Sequence, residues 1–384
     1  MKNRKPIRIL QVVGAMNRAG TETMLMNIYR NINHRKIQFD FISYNNKEAD
    51  YDHEIERLGG KIIKLRKTTS IRELYRAIKI HGPYHAVHAH TLFHCGIATI
   101  AALIAGVNIR ISHAHTTSDT SDSVARKMYI QLMRLLINGF STKLLSCSDG
   151  AGMYLYGKSV VANTKYSYFP NVIDYTSFLN APKKEINKFK VEEGLGNGIV
   201  IGHIGRFIEA KNHSFLLDIM KNIVNLNPTI KLLLIGGGDL KGQVEEEAKR
   251  LELLDNIRFV GVRENISTIL HSMHVFVFPS IYEGLGLVLL EAQASGVPCV
   301  VSEAIQPEAD VGLGLVTTLS LDDGPTVWAD KIIDLADKKE RNTNEIVNRF
   351  EQSGYSLTEG ISTLMQIYQS NVGEAYEKDI DRLL

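Results

Sequence analysis

Short apolar runs rich in Val, Ile and Leu recur along this chain, each followed by a stretch with helical spacing. The series breaks off once and starts again. Such alternation leaves few folds open, because an apolar strand must be covered on both faces, and crossover helices give that cover only in a parallel sheet. The first series has strands expected over 7–13, 39–44, 61–65, 86–90, 110–115 and 143–148, with helices over 22–33, 70–81, 93–105 and 123–138. A hinge-like SYFPNVIDYTSF and a polar stretch follow. A second series then gives strands over 199–204, 231–236, 257–260, 275–278 and 299–302, and from about 347 the chain reads as helical and polar. The pattern predicts an α/β protein of two Rossmann-like, doubly wound domains facing a cleft. The expected bounds are 1–180, 181–355 and a helical segment over 356–384 that packs back towards the first domain.

Length agrees with two domains, since 384 residues exceed what one compact core usually holds. No apolar run reaches the roughly 18 residues a membrane helix needs, and the opening MKNRKPIRILQVVGAM reads as a basic lead into a strand, not a signal peptide. Cys95, Cys147 and Cys299 lie far apart without metal-ligand spacing and read as reduced core residues of a cytosolic protein. The net charge of +2 hides an asymmetry: residues 1–180 carry 24 Lys and Arg against 12 Asp and Glu, leaving 20 against 30 for the remainder. The basic half either faces something anionic, such as a membrane surface, a phosphorylated lipid or nucleic acid, or carries ordinary solvated charge.

The densest motif is VFPSIYEGLGLVLLEAQASGVPCVV. A strand ends at Pro279, a turn carries Glu283, Gly284, Leu285, Gly286 and Leu287, and a helix carries Glu291, with seven residues between the two acids. This is a βαβ unit with its polar groups at the end where open parallel sheets bind ligands. The helix N-terminus there offers unpaired N–H groups to a phosphate, while two acids can hold hydroxyls.

The second motif, GRFIEAKNH, follows the first strand of the second series. Gly205 lets backbone approach a ligand, and Arg206 and Lys211 from one loop can neutralise a diphosphate. LLIGGGDL is a weaker glycine cluster after a strand, and the turn FVGVREN could line a base pocket through backbone groups of Val262 and Arg263. In the first series the turn GAMNRAGTET lacks GxGxxG, which argues against a dinucleotide dehydrogenase; Gly20 there allows a flexible loop capping a helix. Histidines gather at two strand ends: His88, His90 and His94, then His113 and His115. His113 and His115 share a face, and His115 at the strand tip is the functional candidate. No HExxH or paired carboxylate accompanies them, so no metal is expected. The segment ARKMYIQLMRLLINGF reads as an amphipathic helix, suited to a membrane surface or to core packing.

Taken together, GTET, HAHT, NVID, GRFIEAKN, GGGDL and E-x7-E resemble the retaining glycosyltransferases of family four, which have the GT-B fold. The resemblance spans nearly the whole chain, and SHAHTT and SCSDGAGMYLYGK are similar to stretches of the bacterial capsular and exopolysaccharide members. It implies an acceptor-binding first domain and a donor-binding second one. Arg206 and Lys211 would bind the donor diphosphate, Glu291 the ribose hydroxyls, and Glu283 with the backbone of 284–287 the donor sugar. Gly20 would let its loop approach donor or acceptor, and His115 would contact the transferred sugar. The loop has Ala19-Gly20 where the family commonly has paired glycines. The implied partners are a nucleotide sugar (UDP by resemblance, GDP as second choice), a lipid-linked saccharide and the inner membrane surface, but no nucleic acid. No cofactor or metal is implied, and the protein would be cytoplasmic and peripheral on the membrane. Two alternatives stay open: a nucleotide-sugar 2-epimerase of the same fold, and a non-catalytic sugar-nucleotide-binding subunit.

Overall fold

The structure is a computed structural model and describes residues 6–117, 123–336 and 342–369. The chain forms two compact units: the first takes Met1–Val172 and the chain from Leu357 onward, the second Ile173–Ser356.

The strands of the first unit are β1 (Ile7–Val12), β2 (Ile37–Ser43), β3 (Ile62–Lys64), β4 (Ala86–Ala89), β5 (Ile109–Ala114), β6 (Lys143–Ser146) and β7 (Tyr166–Tyr168). They pair in parallel in the order β3-β2-β1-β4-β5-β6-β7. The second unit has β8 (Val200–Ile204), β9 (Lys231–Ile235), β10 (Ile257–Gly261), β11 (Val275–Phe278), β12 (Cys299–Ser302) and β13 (Val316–Leu319). These are also parallel, in the order β10-β9-β8-β11-β12-β13. In each sheet the order reverses beside the first strand, which opens a crevice at the strands' carboxyl ends.

Two strands escape the sequence reading. β7 lies partly within the hinge-like stretch and β13 follows the last strand expected of the second series. Both are edge strands, three and four residues long. An edge strand is covered less completely, so YSY and VTTL lack the continuous apolar run that marks the central ones.

The two cores are separate. In the second unit Trp328, Met220, Leu217 and Ile332 pack on β8, β9 and β11. In the first, Tyr29, Phe39 and Phe41 join Leu364, Ile367 and Tyr368 of the helix Leu357–Gln369. The helix Cys95–Ile104 is built of small buried residues, and a Cβ at Gly96 would lie 3.2 Å from Leu136, so it packs close to the helix Val124–Phe140. That second helix buries only Met133 and Ile137. Its Val124, Met128, Leu132 and Leu135 are each more than half exposed. The three cysteines are buried and none is in a disulfide. Among the described residues no helix is long and apolar enough to cross a membrane.

Candidate active site

Loops at the carboxyl ends of β8, β9, β10 and β11 are stitched together by backbone hydrogen bonds. Gly205 N–H donates to Ile235 O and Phe207 N–H to Gly237 O, both at 2.9 Å, and Gly236 N–H donates to Gly261 O at 3.0 Å. A Cβ on Gly236 would collide with the Gly205 carbonyl, and one on Gly238 would lie 2.5 Å from the Phe207 carbonyl. Both glycines also hold φ values, 142° and 149°, that side chains rarely adopt. The glycine cluster, weak as a sequence signal, is therefore what lets the β9 loop lie against the loop that carries Gly205 and Arg206.

On this platform the structure joins the two motifs. Lys211 ends a short 3-10 turn, Glu209–Lys211, and its Nζ pairs with Glu283. The ammonium also sits 4.3 Å from the centroid of the Phe278 ring, a cation–π contact that fixes its position. Ile281 N–H donates to Ala210 O at 2.9 Å and ties the two loops together. Gly286 holds φ at 82° and opens the helix Leu287–Ala294 without a side-chain cap. A Cβ there would lie 3.0 Å from Phe278 and 3.4 Å from Glu283. The N-terminus of that helix thus lies beside the Lys211–Glu283 pair, a place that favours an anion. Gly284, Leu285 and Leu287 are buried around this turn.

Glu291 stands one turn into the helix, half-buried, and burial pushes its carboxyl up to about 8. Arg206 is exposed and its guanidinium pairs with no acid among the described residues. Val262 and Arg263 are exposed after β10, and Arg263 pairs with Glu193 at 2.9 Å. Val262 also reaches the glycine turn, 3.2 Å from where a Cβ of Gly237 would stand. One residue the sequence reading passed over lies beneath the platform. His203 donates from Nδ1 to Val277 O at 2.9 Å, leaving Nε2 buried without a partner under Gly205. Its only sequence signal is its place two residues before the Gly-Arg pair.

In the first unit, Gly20 is the exposed first residue of the helix Gly20–Asn31, and a Cβ there would meet nothing within 4 Å. His115 follows β5, while the loop residues 118–122 beyond it lie outside the described residues. His115 belongs to a ladder of rings that the sequence reading did not assemble. His90 and His115 are hydrogen-bonded at 2.8 Å, and His88 and His113 at 3.2 Å. The ladder needs strand order as well as spacing, because β4 lies between β1 and β5 and brings Gln11 opposite His88. Ring nitrogens of His88, His90 and His113 lie within 4.8 Å of one another, a grouping a metal ion could use. The nitrogens facing each other are instead engaged with a neighbouring ring, Gln11 or Tyr368.

Two parallel Rossmann-like units, one of them gathering a lysine, two carboxylates and an open helix N-terminus at its strands' carboxyl ends, define a ligand-binding α/β protein. Comparison with known proteins narrows the class. The chain belongs to the group 1 glycosyltransferases: the model of that family matches residues 184–354, and EpsF of Bacillus subtilis (strain 168), named as a glycosyltransferase, is 38% identical over 384 residues, 98% of each chain. A UDP-Gal:alpha-D-GlcNAc-diphosphoundecaprenol alpha-1,3-galactosyltransferase of Escherichia coli is 26% identical over 319 residues, 79% of this chain and 80% of that one. Among solved structures, HepE of Anabaena in complex with UDP and glucose matches with a TM-score of 0.77 at 18% identity, over 95% of this chain and 100% of that one. This last likeness is one of fold, and the fold is GT-B.

Proposed function

We infer that the protein is a retaining glycosyltransferase that moves a hexose or N-acetylhexosamine from a nucleotide sugar to a lipid-linked saccharide during assembly of a cell-surface polysaccharide. The observation that carries this reading is the Lys211–Glu283 pair beside the uncapped N-terminus of Leu287–Ala294, with Glu291 one turn behind. That set offers a cation and N–H donors to a diphosphate, and carboxylates to hydroxyls. The Escherichia coli relative, whose name specifies a UDP-sugar donor and a diphosphoundecaprenol-linked acceptor, supports UDP as carrier and a lipid-linked acceptor.

Arg206 and Lys211 bind the diphosphate, Glu291 the ribose hydroxyls, and the backbone at Val262 and Arg263 the base. Glu283 and the backbone of 284–287 orient the sugar. His115 contacts the transferred sugar, and Gly20 lets its loop approach donor or acceptor. Breaking the C1–phosphate bond leaves positive charge on the sugar and negative charge on the diphosphate. The two cations and the helix N–H groups stabilise that leaving group, so the chemistry needs no metal. The acceptor hydroxyl attacks C1 on the same face. Its oxygen bonds C1 as the C1–O bond breaks, and its proton passes to the departing phosphate oxygen.

The exposed apolar stripe of Val124–Phe140 supports a peripheral membrane seat for an enzyme whose acceptor is a lipid, with Arg126 and Lys127 on the same helix. The test is a transfer assay with UDP-sugars and an undecaprenyl-diphosphate saccharide, with NMR of the product's anomeric centre. A product with the donor's anomeric configuration is expected. R206A and K211A should each lose about 10²-fold or more, as removal of one transition-state donor does elsewhere. An epimerised sugar from donor alone, with no transfer, would overturn the reading.

A further inference from the structure

The helix Val124–Phe140 carries its apolar stripe on one side and a half-buried guanidinium on another. Arg126 lies over two rings, 5.4 Å from the centroid of Phe93 and 5.2 Å from that of Tyr129. Both contacts are of cation–π length and hold the side chain against those rings. A guanidinium keeps its N–H groups in one plane, and that planar fork is the geometry that grips a phosphate. The charge reaches His94 as well: after burial, repulsion from Arg126 is what holds that ring below the ordinary histidine range. His94 stands 6.3 Å from Tyr129 by ring centroids, and one of its ring nitrogens is 3.5 Å from the Thr68 hydroxyl.

Thr68, His94, Arg126 and Tyr129 lie on the loops or opening helical turns that follow β3, β4 and β5. They share the carboxyl end of the first sheet with His115. The Tyr129 hydroxyl is buried and has no hydrogen-bond partner among the described residues. A buried hydroxyl without a partner costs stability, and beside a guanidinium the acceptor that suits it is an anionic oxygen. The rim is basic. Arg66, Lys67 and Lys127 are exposed, and Glu73, the acid nearest to Thr68 in sequence, accepts from the backbone N–H groups of Arg66 and Lys67. The apolar stripe comes to the edge of this place, since half-exposed Leu132 lies three residues beyond Tyr129 and so on the adjoining face of the helix.

We propose that Arg126, Tyr129, His94 and Thr68 form a subsite for the phosphate of the lipid-linked acceptor, whose lipid chain leaves over Leu132 and the exposed stripe. The stripe alone would suit any lipid; the guanidinium and the unsatisfied hydroxyl select a phosphate ester at its head. The proposal rests on the functional reading for the class of acceptor and adds where this unit grips it. These residues act on binding and not on the bond being made, so their loss falls on KM for the acceptor.

The test is calorimetry on the full chain, saturated with UDP to fill the donor site, with farnesyl diphosphate and farnesol as probes. Farnesyl diphosphate should bind at one site, about tenfold or more tighter than farnesol. Arg126→Ala should weaken it about tenfold or more and Tyr129→Phe about threefold to tenfold, as loss of a hydrogen bond to a charged group does. Arg126→Lys should recover only part of the affinity, because an ammonium lacks the planar fork. In transfer assays Arg126→Ala and Tyr129→Phe should raise KM for the acceptor by similar factors and leave KM for the donor within about twofold. Tyr129→Phe should keep the thermal midpoint within about 2 °C, which separates lost binding from lost folding. Equal binding of farnesol and farnesyl diphosphate would overturn the proposal, as would unchanged affinity in both Arg126→Ala and Tyr129→Phe. Arg126→Ala that loses anionic vesicles but keeps farnesyl diphosphate would overturn it too, by assigning the site to bulk phospholipid headgroups. Arg126-dependent binding of farnesyl diphosphate without any transfer would keep the subsite and sink the functional reading. Transfer with KM for the acceptor unmoved in Arg126→Ala would sink the subsite alone.

Discussion

Among single residues, Glu291 carries the sharpest consequence. A carboxyl at about 8 in the folded protein, against an ordinary 4.5, keeps a proton that the unfolded chain has released between those pH values. The folded state binds more protons there, so stability falls as pH rises from about 4.5 to 8 and is level above that. Glu291→Gln removes this dependence. Its thermal midpoint should exceed the parent's at pH 8, by roughly 2 kcal/mol or more in stability, and match it near pH 4.5. The same variant should lose UDP binding if Glu291 holds the ribose. In the parent, hydroxyl donors favour the charged carboxylate, so UDP affinity should tighten about tenfold between pH 7 and 9 by calorimetry. A flat profile would separate Glu291 from the ligand. The acids and cations were legible as motifs, but their meeting was not. Spacing gives the end of the sheet on which Glu283 and Lys211 lie; it does not give the Phe278 ring and the left-handed Gly286 that bring them into contact.

At the scale of elements, the central strands were legible because they are buried on both faces, and β7 and β13 were not because edge strands need no such run. The glycine turn after β9 is a case where an element matters more than its sequence signal suggests. Gly236→Ala meets the Gly205 carbonyl and a strained φ together. It should cost roughly 2–4 kcal/mol in denaturant unfolding and weaken donor binding, because the loop it displaces carries Arg206. Gly242→Ala, where a Cβ meets nothing within 4 Å, should be neutral or slightly stabilising. The helix Val124–Phe140 offers a test of a different kind. Replacing Met128, Leu132 and Leu135 by Ser removes exposed apolar surface and little core packing. Sedimentation with anionic vesicles should fall severalfold while the thermal midpoint stays within about 2 °C. Unchanged sedimentation would remove this helix from any membrane contact.

For the whole molecule, two separate cores imply that unfolding need not be a single step. If the donor site lies entirely on the second unit, saturating UDP should raise that unit's transition by about 2.7 kcal/mol at a hundredfold excess over Kd, and leave the other nearly unmoved in calorimetry. The fold class was legible at this scale because the strand–helix alternation visibly restarts. A helical segment over 356–384 that packs back towards the first domain is expected from the sequence; which of its residues share a core with β1 and β2 is not, since nothing local in Leu364, Ile367 or Tyr368 points to those strands. That sharing bears on how the protein is made. Leu357–Gln369 completes the core formed by Tyr29, Phe39 and Phe41. During synthesis the first half must therefore leave the ribosome with an open apolar face and wait while the whole second unit is translated. The second unit holds its own core and can close first. Nascent chains arrested after residue 356 should show a protease-resistant second unit and a sensitive first one, and resistance of the first should appear only once residue 369 has emerged. The earliest segment to be made is thus the last to become stable, and it is the segment for which a holding chaperone has most use.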